Sequence, residues 1–230
     1  MNNFDSFILS FINQFVHRSF TFDKFVVLLS NSNLLKGAVI LAVGWWIWFE
    51  NEDVRRKREI LLATMIGCFP ALVITKILTK TMYRPRPLDE ARLLFRVPYG
   101  IGVAGWKQWS SFPSDHAVLF FALALGIFLA SRRFGWFAFL YVSLFICLPR
   151  IYLLEHYPTD ILGGAAIGMV AVWVANLPSV RKPLTGWALR WMESRPSQFY
   201  SCSFLVTYLM AELFDPALTI VSFIIHRRLD

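Results

Sequence analysis

Apolar positions in this chain gather into long runs separated by short polar and basic stretches, and the period inside the runs is helical. Near the N-terminus Phe4, Phe7, Ile8, Phe11, Ile12, Phe15 and Val16 recur every three or four residues, while Asp5, Ser6, Asn13, Gln14, His17 and Arg18 fill much of the other face. That stripe predicts an amphipathic helix within residues 1–30 lying in a membrane interface, although a helix packed against a bundle fits the same pattern. Further runs at 34–49, 60–79, 116–131, 134–149, 160–178 and 199–225 predict membrane spans. A hydrocarbon core of about 30 Å needs roughly 20 helical residues, and flanking aromatics and long basic side chains extend the shorter runs. The expected fold is all-α: a polytopic integral membrane bundle of about six transmembrane helices, forming one domain over residues 1–230. Glu212 and Asp215-Pro216 interrupt the last run and predict a bend there, and 181–198 reads as an amphipathic connection.

Composition agrees with a bilayer. Hydrophobic residues make up 57% of the chain and mean hydropathy is +0.52, too apolar for a soluble domain of ordinary make-up. The formal net charge of +8 raises nucleic acid as a partner, but the basic residues sit in short runs between apolar stretches rather than along one face. Nucleic acid is therefore not an expected partner. Cys68, Cys147 and Cys202 are widely spaced, which fits neither a disulfide framework nor a metal knuckle. No cleavable signal peptide is expected at the N-terminus.

The basic runs also predict orientation. Arg55, Arg56, Lys57 and Arg58, then Arg132 and Arg133, then Arg181 and Lys182 fall in alternate loops, which the positive-inside rule makes cytoplasmic. The loops at 80–115 and 149–160 then share the external or periplasmic face of a plasma membrane. Under the same count His226, Arg227 and Arg228 emerge outside, against the rule. Arg84, Arg86, Arg92, Arg96 and Lys107 also break the bias, and binding an anion gives those cations a purpose.

Three polar clusters in those loops carry chemistry: KTMYRPRP, FPSDH and PRIYLLEHYPTD. Arg84 and Arg86 follow a helical run on a Pro-stiffened turn, with Lys80 and Lys76 one turn apart before them, and guanidinium forks match phosphate oxygens. Ser114 is placed to cap the helix that starts beside it, and such a helix start, with Asp115 and His116 in its first turn, favours an anion. Arg150 precedes His156 by six residues and Asp160 follows it by four, so Asp160 can hold one ring nitrogen as N–H and leave the other nucleophilic. Asp160 can equally cap the next helix, where Gly163 and Gly164 suit close packing. Glu155 is expected at the surface or in a supporting position.

Together the clusters resemble the type 2 phosphatidic acid phosphatase superfamily, whose pattern is K-x6-RP, then PSGH, then SR-x5-H-x3-D. The resemblance spans roughly residues 60 to 178. Pro149 stands where the family usually has Ser, and Asp115 replaces Gly, as in the PSDH variant of bacterial undecaprenyl-diphosphate phosphatases. Counting back from Arg86, the family lysine falls on Thr79, so Lys80 or Arg84 is expected to supply that charge. For Lys80 to do so the helix must unwind before Tyr83. The resemblance implies a metal-independent, cofactor-free phosphatase in which His156 attacks phosphorus, Asp160 orients it and His116 serves as acid and then base. Phosphate binding would fall to Lys80, Arg84, Arg86, Ser114, Asp115 and Arg150. The expected substrate is a lipid phosphate or diphosphate, undecaprenyl diphosphate first, with phosphatidic acid, phosphatidylglycerol phosphate and lipid A phosphate as alternatives. Head-group choice is expected in the 88–112 loop, at Arg92, Arg96, Trp106, Lys107 and Trp109.

Other classes fit less well. A zinc hydrolase built from His116, His156, Asp115 and Asp160 leaves the arginines without a purpose, and a haloperoxidase of related pocket does not need the apolar spans. A lipid transporter or scaffold would have no use for the His–Asp pair.

Overall fold

The computed structural model describes residues 1–90, 94–101 and 110–214, and all regular structure among them is helical. Arg92, Trp106, Lys107, Trp109, Asp215, Pro216, His226, Arg227 and Arg228 lie outside the described residues. In chain order the α-helices are α1 (Asn3–Asn13), α2 (Phe20–Asn31), α3 (Val39–Trp48), α4 (Val54–Thr81) and α5 (Asp115–Ala130). They continue with α6 (Arg132–Tyr141), α7 (Leu148–Tyr152), α8 (Pro158–Ala175), α9 (Pro178–Ser194) and α10 (Pro196–Ala211).

Three described helices are long and apolar enough to cross a membrane: α4, the continuous stretch Arg132–Tyr152, and α8. A fourth crossing is available if α2 and Leu34–Trp48, which meet at 69°, count as one broken span. Of the six expected spans, 34–49 is thus the second limb of a bent pair, and 199–225 is described only as far as α10 and the turn after it. The expected span 116–131 is α5, apolar but only 16 residues long. It is the bundle's axis: Ala117, Val118, Leu119, Phe120, Ala122 and Ala124 have no exposed surface.

Packing between α5 and α8 brings the second and third polar clusters together. A Cβ on Gly168 would stand 2.0 Å from the Val118 carbonyl oxygen, and one on Gly164 would stand 2.6 Å from that of Ser114. Only glycine lets the two backbones approach this closely, the small-residue contact that membrane helices favour.

Two local irregularities matter for the site. At Ser32 the backbone turns extended and ends α2, so carbonyls of its last turn lose their helical partners. Within Arg132–Tyr152 the helix widens to a π-turn over Val142–Cys147, with the Leu148 N–H bonding back to Ser143. Pro149 follows at once and has no N–H to donate, so the wide turn accommodates it and sets the phase of Arg150.

The basic end and the polar end of the bundle are opposite. Arg181 lies 3.7 Å from Glu59, and Arg58 stacks over Trp48 while donating to its carbonyl, so the 49–58 and 176–182 segments share one end. The polar clusters of 82–90, 110–116 and 150–160 gather at the other.

The apolar stripe of the N-terminal segment is divided between two sides. Asp5 is fully buried, whereas Phe4, Phe7, Phe11 and Phe15 are 40–74% exposed. The side that meets the protein carries Asp5, Leu9 and Ile12, and the phenylalanine side points away.

Candidate active site

Backbone bonds knit the three clusters into one site. Ser111 N–H donates to the Arg84 carbonyl at 2.8 Å, Leu88 N–H to that of Leu154 at 3.0 Å, and Ser114 N–H to that of Asp160 at 3.3 Å. Ser114 is buried and its hydroxyl caps α5 by accepting from Ala117 N–H, as its place beside the helical run predicts.

The turn after α7 decides where the third cluster points. Leu154 adopts a left-handed backbone, φ +60°, which is strained for a leucine and reverses the chain. The N–H groups of Glu155 and His156 then both fold back onto the Arg150 carbonyl, at 3.0 and 3.3 Å. Residues six apart in sequence thereby become neighbours.

His156 is 4% exposed, and its Nδ1 lies 2.8 Å from the Ser111 carbonyl oxygen. A carbonyl only accepts, so Nδ1 carries the hydrogen and Nε2 keeps its lone pair. Asp160 Oδ2 stands 3.8 Å from the same nitrogen, near enough to act through its charge but beyond a hydrogen bond. Its oxygens are occupied: Oδ2 accepts from Tyr157 N–H at 2.8 Å, and Oδ1 accepts from Arg84 Nη1 at 2.6 Å. Asp160 therefore caps α8 and sits behind the histidine at once. A backbone carbonyl holds the ring in its place.

Arg150 is 7% exposed and bridges the second histidine to the third cluster. Nη1 donates to Glu155 Oε2, and Nη2 donates to the Ser30 carbonyl at 2.9 Å, which the break after α2 leaves available. Nη2 also lies 2.9 Å from His116 Nε2, and a guanidinium only donates, so Nε2 is the acceptor. The hydrogen of His116 is then on Nδ1, 3.0 Å from Asp115 Oδ1. Arg150 Nε is buried and has no hydrogen-bond partner among the described residues. Glu155, expected at the surface or in a supporting position, is 8% exposed and takes the supporting one. Burial pushes its carboxyl up, but the Arg150 guanidinium more than offsets this and holds it below the ordinary carboxylate range.

Arg86 is half-buried within electrostatic reach of Glu155, Asp115 and Arg150, and burial lowers the pKa of its guanidinium. Arg84 is turned elsewhere. Its fork contacts Asp5, Thr159 and Asp160, and its plane lies 3.8 Å over the Tyr157 ring, on the Nδ1 side of His156. The helix does end before Tyr83, at Thr81, but Lys80 still lies within its last turn and is exposed. One turn earlier, Lys76 Nζ reaches to 3.9 Å from Asp115 Oδ2. Lys80 is thereby carried about 6 Å further along the helix axis.

Asp5, Ser30, Ser111 and Thr159 join this site although their sequence positions assign them no part in it, and Lys76 and Glu155 join it as well. Lys76 and Glu155 carry a partial signal, since both lie in or beside the clusters. Ser30 and Ser111 meet Arg150 and His156 through main-chain oxygens, which leave no trace in side-chain chemistry. Of the expected head-group residues, Arg96 lines an open polar groove of about 580 Å³ with Ser10, Asn13, Gln14, His17 and Arg18. Among the described residues no group of three or more His, Cys, Asp or Glu is arranged to hold a metal ion.

A helical membrane scaffold that brings two histidines, two arginines and a buried aspartate to one end defines a membrane phosphatase. The chain belongs to the PAP2 superfamily, whose profile matches residues 56–182. It is 26% identical over 163 residues to the undecaprenyl-diphosphatase BcrC of Bacillus subtilis, covering 71% of this chain and 78% of that protein. It is also 39% identical over 137 residues to the bacitracin transport permease protein BcrC of Bacillus licheniformis, covering 57% of this chain and 61% of that protein. No solved structure matches the chain significantly.

Proposed function

We propose that this protein hydrolyses a lipid diphosphate, undecaprenyl diphosphate first, at the external leaflet of the plasma membrane through a phosphohistidine on His156. The observation that carries this reading is the 2.8 Å contact from His156 Nδ1 to the Ser111 carbonyl, which leaves Nε2 as a fixed, unprotonated nucleophile. The choice of lipid is supported by the relative in Bacillus subtilis and by Asp115 within PSDH.

Nε2 of His156 attacks the terminal phosphorus and forms the N–P bond. Arg150, Arg86 and the amide groups at the start of α5 take the charge of the equatorial oxygens, the main source of catalysis in phosphoryl transfer. As Arg150 turns to the phosphate, Nε2 of His116 is released, takes up a proton and becomes an imidazolium steadied by Asp115. That proton passes to the leaving oxygen as the P–O bond breaks, and the lipid monophosphate departs. Water then attacks phosphorus and gives a proton to His116, the N–P bond breaks, and inorganic phosphate leaves. Arg84 acts on this cycle through Asp160, not on the substrate.

Six spans, with α5 crossing inside a sheath of longer helices and α1 lying in the outer interface, complete the reading. The exposed phenylalanines of α1 suit an acyl boundary. The cationic end at 55–58 and 181–182 suits the cytoplasmic side, opposite the site.

Phosphate release from the purified protein, over a panel of undecaprenyl diphosphate, phosphatidic acid, phosphatidylglycerol phosphate and lipid A, tests the proposal directly. The diphosphate is expected to be turned over fastest. Faster release from a monophosphate would change the substrate, and no release from any lipid would sink the enzyme reading.

The first-cluster lysine gives a sharper prediction. Lys76→Ala is expected to lower kcat/KM about tenfold, or about 1.4 kcal/mol of transition-state stabilisation, while Lys80→Ala stays within about twofold of wild type. The reverse order in steady-state release would return the role to Lys80.

A further inference from the structure

Asp5 is fully buried although it belongs to the N-terminal helix, 51 residues before the segment that the family profile matches. Its backbone is pinned by the α1 cap, where Asp5 N–H donates to Asn2 Oδ1 at 2.7 Å. Its carboxylate meets the start of α8: Oδ1 accepts from Thr159 N–H at 2.9 Å, and Oδ2 accepts from Thr159 Oγ1 at 2.7 Å. Oδ2 also accepts from Arg84 Nη2 at 2.7 Å. The other arm of that guanidinium, Nη1, donates to Asp160 Oδ1 at 2.6 Å. One cation thus stands between two carboxylates, and the second of them is the one behind His156.

The balance of charge gives this arrangement a purpose. When Nε2 of His156 binds phosphorus while Nδ1 keeps its hydrogen, the ring becomes cationic and needs a negative charge at Asp160. An arginine bonded to Asp160 alone would cancel that charge at 2.6 Å. With Asp5 on the opposite arm, one cation faces two anions and the trio keeps one negative charge.

We propose that Asp5 is a positioning residue of the active site: it shares the Arg84 cation with Asp160, so that Asp160 retains the charge that a phosphorylated His156 requires. The inference rests on the phosphohistidine reading above and extends it to the N-terminal helix. A simpler role, capping α8 through Thr159, would act on folding and would not depend on the charge of Arg84.

The two roles separate in a double-mutant cycle on the full chain in detergent, with undecaprenyl diphosphate and the lipid panel as substrates. Asp5→Asn is expected to lower kcat at least about tenfold with KM within about twofold, because the lost charge matters once His156 becomes cationic. In an Arg84→Gln background the same change is expected to alter kcat by less than about twofold, since no guanidinium remains to be shared. If Asp5→Asn alone does not accumulate, the double variant compared with Arg84→Gln carries the test. Equal rates there support the proposal, and a further tenfold loss overturns it. An equal loss in both backgrounds, or a single variant with unchanged kcat, overturns it too. A wild type that releases phosphate while Asp5→Asn is fully active sinks this proposal alone. A wild type inactive on every lipid sinks the phosphatase reading and this proposal together.

Discussion

His156→Ala is expected to abolish phosphate release while the bundle still inserts and folds. In the proposed cycle His156 is consumed and regenerated in every turnover, so no neighbour can replace it, and removing such a group costs on the order of a thousandfold or more in kcat. The structural cost is small by comparison. The ring makes one main hydrogen bond, to the Ser111 carbonyl, and leaving a buried acceptor unpaired costs about 1–3 kcal/mol. Two measurements separate these effects: thermal stability in detergent, expected to fall by a few degrees, and trapping of radiolabelled phosphate on the protein, expected to vanish. Turnover within tenfold of wild type would end the phosphohistidine mechanism.

Arg150→Lys is expected to lower kcat by about a hundredfold, with a smaller change in KM. Both residues are cations, so charge alone predicts little effect. Geometry predicts a large one. The guanidinium reaches Glu155, the Ser30 carbonyl and His116 Nε2 from two nitrogens, a spread of donors that a single ammonium cannot reproduce. In the proposed cycle, loss of the planar fork removes the contact with the equatorial oxygens, and it leaves His116 without the partner 2.9 Å from its Nε2. Steady-state kinetics on undecaprenyl diphosphate, paired with a melting curve, read both parts. Near-normal kcat in the lysine variant would move Arg150 out of the phosphate cradle.

Much of the site is legible in the order of residues along the chain. His116, His156, Asp160, Ser114, Arg86 and Arg150 lie in short clusters whose spacing matches a known family, and spacing survives folding when each cluster sits on one turn. Ser114 caps α5 as its position beside a helical run requires. Residue types that need a neighbour from another segment are harder to read. Glu155 fits a surface or a supporting position in sequence, and the left-handed Leu154 decides between them by turning it inward onto Arg150. Lys80 is nearest to the family register, but α4 runs on through Thr81, so helical phase hands the contact with Asp115 to Lys76.

The sequence by itself determined an all-helical membrane protein, the three clusters and the chemical identity of the candidate nucleophile, because hydrophobic period, charge bias and local motifs are one-dimensional signals. Tertiary structure alone decided which carbonyl holds His156, which oxygen steadies Arg150 and which carboxylate shares Arg84. Those partners are main-chain oxygens or residues far along the chain, brought near by the break after α2 and by the glycine contacts of α5 with α8. The case of α1 gives the physical reason. Periodicity states that a helix has two faces, but not what each face meets. In water the phenylalanine face would be the buried one; here the face of Asp5 and Leu9 turns inward instead, and it sets Asp5 against Thr159 and Arg84.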